Sequence, residues 1–252
     1  MRKKFIAANW KMHFGIEDSL KYFASFKRQA IAYQNVDVVI CPPSTSLYSS
    51  SVALSESDIQ LGAQNCHHEK SGAFTGEISA DFLEELGCKY VIVGHSERRQ
   101  HFKETNEILA LKLARAFDAG LTPIFCVGET WDERKKNQTE AVIEKQVKEG
   151  VQSLTYEQIS RVVIAYEPVW AIGTGNTATP EQAQDVHAFI RRLIGQIIGH
   201  NASLEARVIY GGSVKAENAR DLLKKPDIDG ALVGSASLNP DEFIEIIRHA
   251  LS

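Results

Sequence analysis

The chain has 252 residues, of which 44% are hydrophobic and 24% charged, and its formal net charge at pH 7 is −4. This balance argues against a nucleic-acid or anionic-membrane partner, because both need a basic face. The apolar stretch at residues 5–8 is too short for a signal-peptide core, and no apolar run is long enough to cross a bilayer. We therefore expect a soluble cytoplasmic protein with no nucleic-acid or membrane partner.

Short apolar, β-branched segments alternate with segments of helical period along the chain. They predict strands at residues 5–10, 36–41, 59–64, 90–93, 122–127, 161–166, 206–210 and 230–233. The helix starts are well marked: Thr179, Pro180 and Gln182 supply a cap, a first-turn proline and a capping-box glutamine, and Asn239-Pro240 begins the last helix similarly.

Strands that are each followed by a helix predict right-handed crossovers and a parallel sheet. Eight such strands close into a (β/α)8 barrel, eight parallel strands with an outer ring of helices. The rival is a doubly wound open sheet, but no Gly-x-Gly-x-x-Gly turn follows the first strand. Because one barrel commonly uses this length and no linker interrupts the chain, we expect a single α/β domain over residues 1–252.

Polar side chains follow the ends of several predicted strands, where the chemistry of such barrels lies. Asn9 and Lys11 come at the end of the first strand, His95 just past the fourth and Glu167 past the sixth. Strand alternation groups side chains on shared faces: residues 5, 7, 9 and 11, then Val91, Val93 and His95, then Val163, Ala165 and Glu167. If these faces line the barrel interior, an amine, an imidazole and a carboxylate meet at one mouth.

A carboxylate and an imidazole over a shared pocket suit proton abstraction next to a carbonyl. A helix is predicted to begin directly after His95, at Ser96-Glu97, and its positive end would lower the histidine pKa and keep the ring neutral as a donor. Taken alone, His95 could instead be a helix cap and Lys11 a solvated charge.

The segment after Glu167 predicts a lid. Pro168 ends the strand, residues 169–172 are apolar, and glycines follow at Gly173 and Gly175. Such a loop can cover a site, exclude water and move. The alternative is a strand-ending glutamate followed by a loop packed against the core.

Two glycine-containing loops follow the seventh and eighth strands: Gly211-Gly212-Ser213 and Gly234-Ser235. Glycine lets the backbone approach an anion, and amides at a helix start point toward it. The pair predicts a phosphate site involving Ser213, Gly234 and Ser235. In the predicted lid, Gly173 would add a further amide.

Residues 64–79 form a connection much longer than an ordinary βα loop, and it contains Phe74. Such a loop is expected to dock, either on a second copy or as a lid over its own subunit. His67-His68-Glu69 within it is expected to be a solvated loop with the two rings pointing apart, and we predict no metal site. The four cysteines are expected to be free buried thiols.

Five motifs, in chain order, resemble those of the triosephosphate isomerase family: Asn9-Trp10-Lys11, Gly72-Ala73-Phe74-Thr75-Gly76-Glu77, Val93-Gly94-His95-Ser96-Glu97-Arg98-Arg99, Ala165 to Gly175, and the two glycine loops. The resemblance implies a TIM barrel that interconverts dihydroxyacetone phosphate and D-glyceraldehyde 3-phosphate through an enediol(ate), in glycolysis and gluconeogenesis, without a cofactor. One departure is Ser235, where the family usually has glycine.

The resemblance also implies roles for individual residues. Glu167 is the expected catalytic base and His95 the electrophile, while Lys11 and Asn9 hold the substrate. The segment Phe74, Thr75, Gly76 and Glu77 is the expected dimer loop, inserted into a second subunit near Lys11 and His95. The rival interpretations are a Schiff-base aldolase using Lys11, and a catalytically inactive phosphate-binding protein or adhesin.

Overall fold

The computed structural model describes residues 2–29, 35–171 and 177–251. In these ranges, strands of one parallel sheet follow each other in chain order and close into a barrel, with the last strand bonded to the first. The strands are β1 (Lys4–Asn9), β2 (Val36–Cys41), β3 (Gln60–Ala63), β4 (Tyr90–Val93), β5 (Thr122–Val127), β6 (Val163–Tyr166), β7 (Arg207–Tyr210) and β8 (Gly230–Val233). The predicted (β/α)8 barrel is confirmed.

Helices connect the strands and surround the barrel. They are α1 (Ile16–Phe26), α2 (Leu47–Leu54), α3 (Ala80–Glu85), α4 (Ser96–His101), α5 (Asn106–Asp118), α6 (Trp131–Lys135), α7 (Thr139–Val151), α8 (Tyr156–Arg161), α9 (Pro180–Ile198), α10 (His200–Ser203), α11 (Ala216–Leu223) and α12 (Pro240–Ala250). Short 3-10 turns at Ser44–Ser46, Val169–Ala171 and Ser235–Leu238 also occur after strand ends. Across the described ranges, no helix combines the length and the apolar character that a membrane span requires.

The predicted helix starts are confirmed by their caps. At α9 the Thr179 side chain accepts a hydrogen bond from the Gln182 backbone N–H, and the Gln182 side chain accepts one from Thr179, which completes a capping box. At α12 the Asn239 side chain accepts hydrogen bonds from two backbone N–H groups of the first turn. These local bonds satisfy donors that the helix itself leaves without partners.

The strands are buried on both faces, and the two faces belong to different apolar layers. One layer fills the inside of the barrel: Phe5, Ala7, Val39, Cys41, Ile92, Ile124, Cys126, Val163, Ala165, Ile209 and Leu232. A larger layer lies between the strands and the helices and includes Ile6, Ala8, Val91, Val93, Ile164 and Val208. The four cysteines are free and buried, as predicted.

The inward faces predicted for β1 and β6 are confirmed, but the one predicted for β4 is wrong. Ile92 points into the barrel, whereas Val91 and Val93 pack in the outer layer. His95 is nevertheless at the mouth because Gly94 has a φ of +75°, in the left-handed region that favours glycine. This conformation interrupts the strand alternation just before the histidine.

Candidate active site

The carboxyl end of the barrel holds a cavity of about 450 Å³. The predicted site residues in its lining are Asn9, Lys11, His95, Ser213, Gly234 and Ser235. Glu167 lies beside this cavity rather than in its lining, and only 2% of it is exposed. Gly173 falls outside the described residues.

Glu167 is held by the start of α4. Its Oε1 atom lies 3.0 Å from Nε2 of His95, and its Oε2 accepts a hydrogen bond of 2.8 Å from the backbone N–H of Ser96. The Ser96 hydroxyl also donates to Oε1, at 3.3 Å. Since β6 ends at Tyr166 and the Glu167 N–H bonds Val127 O at the end of β5, the carboxylate leaves the barrel directly toward α4.

The orientation of the His95 ring is fixed by the cap of α4. Its Nδ1 accepts a hydrogen bond of 3.3 Å from the backbone N–H of Glu97. An acceptor nitrogen carries no proton, so the proton of the neutral ring lies on Nε2, the atom that faces Glu167. The ring therefore presents a donor to the mouth of the barrel.

The Glu167–His95 contact sets the charges of both groups. Burial lowers the pKa of His95, but the charge and hydrogen bond of Glu167, with a contribution from Glu97, raise that pKa by more. Burial raises the pKa of Glu167, and His95 and Ser96 together outweigh it, so the carboxyl pKa lies below its ordinary value. The predicted lowering of the His95 pKa is wrong for this arrangement. The Glu167 carboxylate, with Glu97, raises the pKa by more than burial and the start of α4 lower it.

Lys11 reaches the same mouth from a rare backbone conformation. Its φ is +52°, and Asn9 Oδ1 accepts a hydrogen bond of 3.0 Å from its N–H. Gln64 Nε2 donates to the Lys11 carbonyl oxygen at 2.8 Å. The Lys11 ammonium lies 2.5 Å from Oε1 of Glu97, and an ammonium in an ion pair has no lone pair with which to attack a carbonyl.

The glycine loops after β7 and β8 close the other side of the cavity. A Cβ on Gly212 would overlap the Tyr210 side chain at 2.2 Å, so this position admits only glycine without rearrangement. After β8, the Ser235–Leu238 turn begins directly behind Gly234. A Cβ on Gly234 would lie 3.6 Å from Cε of Lys11, which brings the lysine chain next to this loop.

Ser235 tolerates its place in the loop. Ser235 lies in the 3-10 turn, its φ is not in the left-handed region, and it is exposed to solvent. A serine therefore presents the same backbone amide that a glycine would present.

The segment that contains Phe74, Thr75, Gly76 and Glu77 is exposed to solvent, and Gly76 and Glu77 lie at the edge of a second cavity. All residues from 69 to 77 are exposed, and 43% of Phe74 is exposed even though its ring packs on His67 with centroids 4.3 Å apart. This second cavity has a volume of about 490 Å³ and shares Asn9, Lys11, His95 and Glu97 with the site. Phe74 and Thr75 are not in the lining of this cavity, so the tip of the loop does not cover the site of its own subunit.

Comparison with known proteins identifies the chain. The family model for triosephosphate isomerase matches residues 4–250. The triosephosphate isomerases of Dictyoglomus turgidum and Carboxydothermus hydrogenoformans are 51% and 50% identical over 248 and 251 residues, covering 98% and 100% of this chain and 100% of each relative. That of Aquifex aeolicus is 47% identical over 245 residues, 97% of this chain and 98% of its own.

The chain belongs to the triosephosphate isomerase family. The resemblance inferred from five sequence motifs is confirmed by a match over nearly the whole chain.

Three residues of the site were not predicted as functional from the sequence. Ser96 binds the Glu167 carboxylate, Glu97 binds both Lys11 and the His95 ring, and Gln64 holds the Lys11 carbonyl. Ser96 and Glu97 directly follow His95 and belong to the motif that resembles the family, but the sequence assigns them only a helix start and no contact of their own. Gln64 carried no such signal, since its partners are distant in sequence.

The expectation for the two adjacent histidines is wrong in its geometry. The rings of His67 and His68 do not point apart but stack, with centroids 4.3 Å apart and an angle of 27° between their planes. Phe74 also packs against His67, with an angle of 36° between the two rings. Among the residues that the structure describes, no group of three or more His, Cys, Asp or Glu side chains could hold a metal ion.

Proposed function

We propose that the protein interconverts dihydroxyacetone phosphate and D-glyceraldehyde 3-phosphate, the reaction of its family in glycolysis and gluconeogenesis. The observation that carries this proposal is the direct contact between a buried carboxylate and a histidine donor at the end of the barrel, 3.0 Å between Glu167 Oε1 and His95 Nε2. Lys11 and the glycine loops lie around the adjoining cavity. This set matches the needs of proton transfer next to a carbonyl of a phosphorylated triose.

In the proposed reaction, Glu167 leaves Ser96 and removes a proton from the carbon next to the carbonyl. The electron pair of the broken C–H bond forms a carbon–carbon double bond, and the carbonyl π pair moves to its oxygen. His95 Nε2–H donates to this oxygen and stabilises the enediolate. Transfer of a proton between the two oxygens and return of the proton from Glu167 to the neighbouring carbon complete the isomerisation.

The same movement adjusts the charge of His95. While Glu167 is in contact, its carboxylate raises the pKa of the imidazole. Once the carboxylate turns toward the substrate this effect weakens, and the remaining burial lowers the pKa of His95 and favours the neutral ring. The histidine then acts as a neutral hydrogen-bond donor, while Nδ1 stays held by the Glu97 N–H.

The phosphate of the substrate is proposed to lie between the loops after β7 and β8. Backbone amides near Ser213, Gly234 and Ser235 supply donors without requiring added positive charge. Lys11, whose chain runs beside Gly234, supplies one positive charge, and Asn9 fixes the Lys11 backbone. Gly173 is proposed as a further backbone donor to the phosphate.

We also propose that the active form is a homodimer in which Phe74, Thr75, Gly76 and Glu77 enter the second cavity of the partner. An exposed loop with a half-exposed aromatic and a cavity bordering the site support this pairing. Because the cavity shares Lys11 with the site, docking would remove water next to the lysine. In a two-fold symmetric dimer, the loop of each subunit would enter the second cavity of the other.

Residues 1–252 are proposed to form a single barrel domain that acts in the cytoplasm. Neither a metal nor an organic cofactor enters the proposed chemistry, since the carboxylate and the imidazole carry both proton transfers.

The direct test is an assay of isomerisation with the unmodified protein and Glu167→Gln. We expect activity in the first and a kcat lower by about 10²–10⁴-fold in the second, because the amide cannot take the proton. Glu157→Gln, a surface change on α8, is the matched control and should keep its activity. Near-normal kcat in folded Glu167→Gln would contradict the assignment of the base, and borohydride trapping of substrate on Lys11 would favour the aldolase.

A further inference from the structure

Gln146 binds the end of β5 through both polar atoms of its side chain. The Gly128 backbone N–H donates to Gln146 Oε1 at 2.8 Å, and Gln146 Nε2 donates to the Gly128 carbonyl oxygen at 3.1 Å. Gly128 directly follows β5, and Gln146 lies in the middle of α7. A carboxamide offers the same donor and acceptor pair as a peptide group, so Gln146 takes the place of a neighbouring strand.

The other side of Gly128 is pressed against Glu167. A Cβ on Gly128 would come within 1.7 Å of the Glu167 carbonyl oxygen, so the two backbones touch without room for a side chain. Hydrogen bonds lie on both sides of this contact: Glu167 N–H to Val127 O at 2.8 Å and Val169 N–H to Glu129 O at 3.2 Å. The position of the Gly128 peptide therefore determines the position of the Glu167 peptide.

We propose that Gln146 is a positioning residue for Glu167, acting through the Gly128 backbone. Gln146 lines neither of the two cavities at the mouth, so a contact with substrate does not account for it. The inference rests on the proposed function, in which Glu167 is the base. A misplacement of about 1 Å at a reacting group can cost on the order of 10²-fold in rate. Loss of the two hydrogen bonds between Gln146 and Gly128 is therefore expected to lower kcat.

The first test replaces Gln146 with methionine, which keeps the length of the side chain and removes both hydrogen bonds. We expect kcat to fall about 10- to 100-fold, while KM and the binding of glycerol 3-phosphate stay unchanged. Glycerol 3-phosphate carries the phosphate but has no carbonyl, so its binding reports on the phosphate loops without requiring proton abstraction by Glu167. Gln146→Leu also removes both hydrogen bonds and is the second variant if Gln146→Met does not fold; it should lose kcat to a similar extent.

Gln158→Met is the matched control. Gln158 also accepts a backbone N–H through its side chain, from Thr155 at 2.9 Å, but it caps α8 at the opposite end of the barrel from the site. The same chemical change there should lower the thermal stability slightly and leave kcat unchanged. A loss of kcat equal to that of Gln146→Met would overturn the proposal.

The second test is a double-mutant cycle with Glu167→Gln. If Gln146 acts by placing the carboxylate, Gln146→Met should cause no further loss of kcat once the carboxylate is gone. A full additional loss in the Glu167→Gln background would overturn the proposal, as would wild-type kcat in Gln146→Met or an equal loss of glycerol 3-phosphate binding. An inactive unmodified protein would overturn the proposed function and this inference with it, whereas an active protein unaffected by Gln146→Met overturns the inference alone.

Discussion

Nε2 of His95 lies 3.0 Å from Oε1 of Glu167, so the proposed acid and the proposed base bind each other before either meets a substrate. Each partner stabilises the charged form of the other, and both are almost fully buried. The substrate must therefore compete with an existing hydrogen bond, and the two residues are expected to behave as one unit in kinetics.

Replacing His95 with glutamine should lower kcat, because the amide is a weaker and differently placed donor to the enediolate oxygen. The loss should not multiply with that of Glu167→Gln, since both residues act on one intermediate. Steady-state kinetics of the two single variants and the double variant measure this. Fully multiplicative losses would show that the two side chains act in separate steps.

The buried ring of His187 predicts a pH dependence of stability. Burial lowers its pKa to about 4, from an ordinary value of 6.5. Between these values the unfolded chain binds a proton that the folded protein excludes, so the free energy of unfolding decreases as the pH falls through this window. The full difference corresponds to roughly 3 kcal/mol.

Urea unfolding at pH 7 and pH 5, at one fixed protein concentration, tests this prediction. His187→Phe keeps a ring near Tyr166 and Tyr210 but cannot bind a proton, so its stability should fall less with pH than that of the unmodified protein. His200→Gln, a surface change, should keep the original slope. An unchanged slope in His187→Phe would show that other groups cause the acid sensitivity.

The exposed side chain of Ser235 should be dispensable, because the proposed contact with phosphate uses its backbone amide. We expect Ser235→Gly to leave substrate affinity nearly unchanged and Ser235→Asp to weaken it strongly, since a carboxylate would repel the dianion where water screens little. The loss should shrink for glyceraldehyde, which has no phosphate. Unchanged binding of glycerol 3-phosphate by Ser235→Asp would exclude this loop as the anion site.

Charged residues in place of Phe74 and Thr75 should weaken self-association and activity together, because the loop would lose its apolar anchor. Sedimentation velocity and the isomerase assay at the same protein concentrations measure both. Phe82 is an exposed aromatic residue on the neighbouring helix α3. The control variant Phe82→Glu tests whether a new charge near the loop, rather than in it, also weakens self-association. A fully active monomer would contradict the proposal that the dimer completes the site.

Much of the fold could be predicted because burial on both faces gives each strand an uninterrupted apolar segment. The predicted bounds of β2, β4, β5 and β8 coincide with the observed ones. The predicted start of β6 at Arg161 is wrong, since Arg161 ends helix α8 and the strand begins at Val163. The capping box of Thr155 and Gln158 starts that short helix, which the strand-like pattern of the following residues conceals.

The parts of the site that could not be predicted depend on contacts between distant residues. Ser96 binds Glu167 across 71 positions of sequence, and no local pattern reports this. The inward turn of His95 depends on the left-handed backbone of Gly94, whereas alternation alone assigns the valines of β4 to the wrong face. Hydrophobic periodicity and composition predict the individual helices and strands. Contacts between distant backbone segments form only when the barrel closes, so no local sequence pattern predicts them.

The backbone of Lys11 has a conformational cost that its proposed role in substrate binding would explain. A non-glycine residue with φ of +52° carries a conformational cost of about 1–2 kcal/mol, which glycine would avoid. The chain keeps lysine there and secures it with Asn9 and Gln64. Selection for thermal stability alone would favour glycine at this position and remove the ammonium; under the proposed role of Lys11, the variant that is easiest to stabilise would then bind substrate less well.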